Sequence, residues 1–155
     1  YYATGSGNDF LTDIGGKAGD APRRIDQYLT ELPSVYVNGM HRYFLNGIGY
    51  GIDGYCCLEG DRQRQTSAKP VNYTAIAVKG LLFHYKPTSA VITVDGVRHT
   101  CNHVWLAPAM NGRYYGGGMI PTPQQDRLAK PRELSVMVFR SRSKLKALAV
   151  FPSIV

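Results

Sequence analysis

The chain has 155 residues, enough for one domain with its own core, and its 44% hydrophobic content is that of an ordinary globular fold. No apolar run approaches the roughly 20 residues a membrane-spanning helix needs, and no charged-then-apolar leader opens the chain. Lys and Arg outnumber Asp and Glu by 18 to 11, so the +7 balance favours anionic partners: nucleotide phosphate, nucleic acid or an acidic membrane surface.

The first residue is Tyr, and strand-like Tyr1-Tyr2-Ala3 runs straight into a glycine loop, Gly5-Ser6-Gly7-Asn8-Asp9. This start is expected to be a cut inside a longer protein. Asn8 or Asp9 is placed to cap a short helix with Phe10, Leu11 and Ile14 on one side, which Gly15 and Gly16 end. Asp20 is expected to cap a second helix, with Pro22 in its first turn and Ile25, Tyr28, Leu29 and Leu32 at helical spacing, stopped by Pro33.

From Ser34 the hydrophobic period changes to two. Val35-Tyr36-Val37, Asn38-Gly39 and Arg42–Leu45 predict a hairpin, with room for a bulge after the turn. Ala90–Val94, Asp95-Gly96 and Val97–Cys101 predict a second hairpin on a type I′ turn. Val104–Ala107 and Leu134–Phe139 read as further strands, and Ala147–Phe151 as a weaker one. Only Asn72–Tyr85, with Asn72 as cap and Tyr73, Ile76, Ala77, Gly80 and Leu81 on one face, reads as helix. Arg62–Lys69 reads as a polar loop. The body of the chain is therefore predicted to be mainly β, within α+β, and most economically an antiparallel β-sandwich.

Cys56, Cys57 and Cys101 make no disulfide framework and no CxxC zinc site, so buried thiols in a reducing cytosol are expected. The four histidines share no metal-binding motif. Arg140, Arg142, Lys144 and Lys146 alternate, and on an extended strand they would share one face. That face is either solvated or a basic stripe for lipid headgroups.

Two further glycine-dense stretches carry Asn or Asp: Asn46–Gly54 and Asn111–Gly118. So many glycines sacrifice packing and entropy unless the backbone must turn sharply or lie close to something. Taken in order, the GSGNDF turn, then Phe44-Leu45-Asn46 with Gly49, Gly51 and Asp53 in G-x-G-x-D spacing, then Asn111-Gly112-Arg113-Tyr114-Tyr115-Gly116-Gly117-Gly118-Met119, resemble the diacylglycerol kinase catalytic family. This is the bacterial lipid kinase group that also takes in sphingosine and ceramide kinases. The resemblance runs from residue 1 to residue 139.

The resemblance implies that residues 1–33 are the helical tail end of an α/β nucleotide-binding domain and that residues 34–155 belong to an incomplete β-sandwich domain. The family's GGDGT-type loop would lie upstream and its late acidic DGE-like segment downstream. It implies ATP and Mg²⁺ as cofactors, with Gly5, Ser6, Gly7 and Asn8 bordering the nucleotide phosphates. Asp9 would join a water-mediated metal network, against the alternative of a simple helix cap. Asn46, Gly49, Gly51, Asp53, Asn111, Gly116, Gly117 and Gly118 would line a substrate cleft, against the alternative of tight turns and a bulged strand.

In that family the general base comes from an Asp-Gly pair after the triple glycine. Here the segment reads Gln124-Gln125-Asp126-Arg127, without that glycine. Asp126 is the only acidic residue between the triple glycine and Glu133, and is the expected base; a surface Asp126–Arg127 pair is the alternative.

The implied activity is transfer of the γ-phosphoryl of ATP to a hydroxyl of diacylglycerol or a related lipid, by a cytoplasmic protein peripheral to an anionic membrane. Lacking the GGDGT segment, the chain alone is expected to be inactive. The alternative is a non-catalytic lipid- or anion-binding sandwich on the same scaffold. Nucleic acid is not expected as a partner, and a homodimer is left open.

Overall fold

In chain order the computed structural model runs α1 (Asp9–Asp13), α2 (Asp26–Leu29), β1 (Ser34–Val37), β2 (Met40–Tyr43), β3 (Gly47–Ile48) and α3 (Ile52–Thr66). It continues with α4 (Tyr73–Lys79), a π-helical turn (Gly80–His84), β4 (Thr88–Val94), β5 (Val97–Leu106), β6 (Ala109–Met110), β7 (Ser135–Val136), β8 (Phe139–Arg140) and α5 (Lys144–Val150). Residues 1–5, 7–67, 69 and 71–150 are described. All strand pairings are antiparallel, in sheets ordered β1-β2, β3-β6-β7 and β4-β5-β8. The mainly antiparallel β architecture expected from the sequence is therefore observed. Among the described residues the chain forms two compact units: Tyr1–Ile48 with Ala109–Val136, and Gly49–Pro108 with 137–150. These units reflect compactness, whereas the expected division after residue 33 is one of origin.

In the first unit, α1 buries Phe10 and Leu11, and the Phe10 ring meets Tyr1 and Tyr28 edge-on at 5.2 and 5.7 Å. Gly15 (φ 75°) ends α1, with the Gly16 N–H on the Leu11 carbonyl at 2.8 Å. Asp20 does not cap α2, which starts only at Asp26. Its carboxylate instead accepts from the Lys17 N–H, and Arg23 donates to the Ile14 carbonyl at the end of α1. Tyr1-Tyr2-Ala3 forms no named strand, although Tyr1 and Arg23 exchange backbone hydrogen bonds. The first hairpin closes without a bulge, on Asn38 (φ 49°) and Gly39 (φ 76°).

The second unit is organised by β5. Asp95 (φ 49°) and Gly96 (φ 80°) make the predicted turn, and β5 then continues through the expected separate strand, past an irregularity opposite Thr88 and Ala90. Val104, Trp105 and Leu106 are fully enclosed, and Trp105 Nε1 donates to the Ser141 carbonyl at 2.9 Å. Asn72 Oδ1 caps α4 by accepting from the Ala75 N–H at 2.9 Å.

Three expectations are corrected here. The longest described helix, α3, begins in the stretch offered as a bulged strand and ends in the one read as a polar loop, and the residues between had no predicted element. Only Ile52 and Gly60 of it are buried; α3 meets α4 and the π-helical turn through glycines. A Cβ on Gly60 would overlap the Tyr73 ring, and one on Gly80 the Tyr55 ring. Such packing leaves no apolar stripe to read, while Arg62–Glu59 and Arg64–Asp61 pairs line the exposed side.

Leu134–Phe139 is not one strand but two short ones, β7 and β8, in different sheets. Finally, Ala147 lies buried in a helix, α5, capped by Ser143, whose Oγ accepts from the Lys146 N–H. Arg140, Arg142, Lys144 and Lys146 therefore span β8, a bend and α5, and form no strand stripe. Phe151 lies outside the described residues.

Candidate functional site

The first unit joins residues from three distant stretches through polar contacts. Asp9 sits in the first turn of α1, and its Oδ2 accepts the Gly117 N–H at 2.9 Å, so the first and third glycine stretches meet directly. The Asn46 carbonyl accepts the N–H groups of Asn111 and Gly112 at 2.7 and 3.0 Å. Asn111, 1% exposed, also donates from Nδ2 to the Leu45 carbonyl at 2.9 Å. Gly116, Gly117 and Gly118 take φ of 63°, 87° and 123°, closed at the base by paired Tyr115 and Met119 backbones. Side chains resist that conformation, so the triple glycine is a backbone requirement.

The hub of this assembly is Asp13, which the sequence reading did not single out. Its Oδ2 accepts from Arg127 Nε at 2.6 Å, and its Oδ1 from Arg113 Nε at 2.7 Å. Arg113 Nη2 reaches the Asp13 carbonyl at 2.7 Å. Arg127 further donates to Asn46 Oδ1 at 2.9 Å and stacks over Phe10 at 4.8 Å. Asp13 and Arg127 have side chains only 3% and 6% exposed. The Asp13 hydrogen bond, reinforced by its charge, holds the Arg113 guanidinium above its usual pKa, and Asp126 adds a smaller push in the same direction. Gly112 has its own reason to lack a side chain: a Cβ would overlap Arg127 and crowd Asp13.

This arrangement corrects the alternative reading of Asp126. Arg127 does not pair with Asp126 on the surface; it turns inward to Asp13. Asp126 stays exposed, with Oδ1 accepting from the Leu128 N–H at 2.8 Å in a local turn. Thr122 anchors the segment before it, donating from Oγ1 to the Gly112 carbonyl at 3.0 Å. A charged residue after the acid, where the resemblance calls for glycine, was the one sequence signal pointing to this cluster.

At the chain start, a Cβ on Gly7 would meet nothing within 4 Å, and one on Gly5 only the Gly7 carbonyl oxygen at 3.7 Å. Crowding among the described residues thus gives no reason for glycine at either position. Asn8 makes no side-chain cap bond, and Asn8 Oδ1 and Asn111 Oδ1 are buried acceptors without a donor among the described residues. Ser6 lies outside the described residues. Asn46 and Asn111 are in contact as described, whereas Gly49, Gly51 and Asp53 belong to the second unit. There Gly51 (φ 115°) precedes α3, against the Trp105 backbone, and Asp53 lies in the first turn of α3 rather than on a strand turn. No group of three His, Cys, Asp or Glu suited to a metal exists among the described residues, and no described helix is long and apolar enough to cross a membrane.

Comparison with known proteins adds an independent finding. Residues 46–155 match the model of the YegS C-terminal NAD kinase beta sandwich-like domain. The chain is also 26% identical over 117 residues to proteins named diacylglycerol kinase from two Mycobacterium tuberculosis strains, CDC 1551 / Oshkosh and ATCC 25618 / H37Rv. The match covers 76% of this chain and 37% of each relative, so the chain spans well under half the length of those proteins. No solved structure matches it with comparable significance. With the matched region covering most of its length and its strands pairing antiparallel throughout, the chain belongs to the YegS C-terminal, NAD kinase β-sandwich-like family and is a kinase-type domain.

Proposed function

We propose that this chain is part of a lipid kinase that transfers the γ-phosphoryl of ATP to a hydroxyl of diacylglycerol or a related lipid. The observation that carries the reading is the Asp9–Gly117 hydrogen bond, which joins the chain-start loop to the triple-glycine loop in one unit. Two relatives named diacylglycerol kinase add support.

The residues fit the cofactors in a limited way. Mg²⁺ retains several waters and is commonly held by one or two carboxylates plus substrate phosphates, so it needs no cage of protein ligands. Asp9 would serve it through water, and the unpartnered amide oxygens of Asn8 and Asn111 are acceptors for such waters or for a ligand hydroxyl. Gly5, Gly7 and Asn8 would border the nucleotide phosphates, where open space beside the glycines lets a phosphate approach the backbone. Bound Mg-ATP supplies the phosphoryl group and offsets its charge.

Asn46, Asn111 and Gly116–Gly118 would form the acceptor side in the first unit; Gly49, Gly51 and Asp53, which the resemblance also names, belong to the second unit. Asp126 would take the proton of the lipid hydroxyl on the oxygen that Leu128 does not engage. Arg113 and Arg127, fixed by Asp13, would keep that turn in place. A peripheral position on an anionic membrane in the cytoplasm completes the reading.

Full-length protein assayed with radiolabelled ATP and a panel of lipids tests it. Asp126→Asn is expected to lower turnover by about 10²–10⁴-fold while lipid binding persists. Unchanged turnover in Asp126→Asn would remove the assigned base. No phosphorylation by the wild type would favour the second reading, a non-catalytic lipid- or anion-binding module. That reading draws on Arg127, which stands where the kinase pattern has glycine.

A further inference from the structure

The second unit contains two segments rich in cations and free of carboxylates. Residues 65–94 and 137–150 contain no Asp or Glu, and they include Lys79, Lys86, Arg140, Arg142, Lys144 and Lys146. Among the described residues none of these six takes part in an ion pair. The two segments are tied together: Lys144 Nζ, at the start of α5, donates to the Leu82 carbonyl in the π-helical turn at 2.7 Å.

Beside that bond the packing is inverted. The turn buries Leu81 and α5 buries Ala147, yet the bulkier Phe83 and Leu145 are each 73% exposed. Phe83 follows Leu82 directly and Leu145 follows Lys144, so both adjoin the linking hydrogen bond. Lys79 and Lys86 bracket the turn in sequence, and Arg142 and Lys146 bracket the start of α5, all four exposed.

Exposed apolar side chains set among unpaired cations match the two layers of a membrane surface. The apolar groups gain by entering the headgroup–acyl boundary, and the cations gain from lipid phosphates. A nucleic acid would answer the charge and could stack on Phe83, but it offers nothing to Leu145.

We propose that the edge formed by the π-helical turn and α5 docks on an anionic bilayer. Phe83 and Leu145 enter the interface, and Lys79, Lys86, Arg142 and Lys146 face the phosphates. The proposal rests on the lipid kinase reading for its choice of a lipid surface, and it names where that surface is met. It also replaces the extended basic stripe, which the fold does not form.

Cosedimentation of the 155-residue chain with vesicles tests it without any catalysis. Binding is expected to vesicles containing phosphatidylserine, to be weak to pure phosphatidylcholine, and to fall as salt is raised. Arg142→Ala with Lys146→Ala should weaken binding by about fivefold per charge removed. Phe83→Ala with Leu145→Ala should weaken it at least about tenfold with no change in thermal unfolding, since both side chains are exposed.

Equal binding to neutral vesicles, or full binding by the Phe83/Leu145 variant, would overturn the proposal. So would a dimer abolished by that same variant, or tighter binding to an RNA or DNA oligonucleotide than to the vesicles. Vesicle binding alongside a full-length protein without kinase activity would keep the docking edge and sink the phosphoryl-transfer reading. Activity on detergent-dispersed lipid without vesicle binding would do the reverse.

Discussion

The two compact units are held by different physics. The first depends on polar contacts between residues far apart in the chain: Asp13 grips Arg113 and Arg127, Asp9 grips Gly117, and Asn46 grips Asn111. The second is centred on apolar burial along one strand, with Val104, Trp105 and Leu106 enclosed and α3 meeting α4 and the π-helical turn through glycine–tyrosine contacts. Hydrophobic burial is strong but non-directional, whereas hydrogen-bonded ion pairs fix distance and angle. The unit that carries most of the candidate chemistry is the one built from the directional kind.

The largest effects should come from cutting each unit at its hub. Asp13→Ala leaves Arg127 buried without its counter-charge and is expected to cost about 3–5 kcal/mol, measured by urea unfolding. Trp105→Ala should cost a similar amount, about 3–5 kcal/mol, through a cavity and a lost hydrogen bond. Hydrogen exchange separates the two: Asp13→Ala should release the amides of Asn111, Gly112 and Gly117 while β4 and β5 stay protected, and Trp105→Ala should do the opposite. Release of the same amides by both variants would dissolve the contrast.

A smaller effect is expected at Gly117. Its φ of 87° disfavours any side chain, so Gly117→Ala should cost about 1–2 kcal/mol although an added Cβ has nothing within 4 Å to meet. A neutral result would mean that the loop relaxes freely and does not hold its shape for Asp9.

The smallest effect is a pH dependence confined to the second unit. Burial, helped by Asp53, pushes the Cys56 thiol from 9.0 up to about 11. The native state therefore keeps a proton that the unfolded chain gives up. Its stabilising contribution is complete below about pH 9 and is lost as pH rises toward about 11. Cys56→Ala should flatten the fall of the urea midpoint across that window, and an unchanged slope would assign the fall to other groups, such as half-buried Tyr85.

Local rules made some of this molecule legible in advance. Asn38-Gly39 and Asp95-Gly96 announced both hairpins, because few dipeptides accept two successive positive φ angles. Asn72 announced α4, and Phe10 with Leu11 announced the buried side of α1. Helix α3 was hidden, since its contacts are made by Gly60 and by the ring that fills the space over Gly80, and an apolar count sees neither. Helix α5 was hidden because the alternating charges from Arg140 to Lys146 and the apolar run from Ala147 also fit a strand, and the Ser143 cap shows only in the fold.

The sequence by itself determined the antiparallel β character, the turn positions and the ordered glycine motifs, all of which depend on neighbouring residues and short-range sterics. Only the tertiary structure decided that Asp13 is the partner of Arg127 and Arg113, that Asp9 meets Gly117, and that Asp126 is left facing solvent. The reason is physical: those contacts join segments with a hundred residues between them, and no local propensity encodes which buried charge will find which.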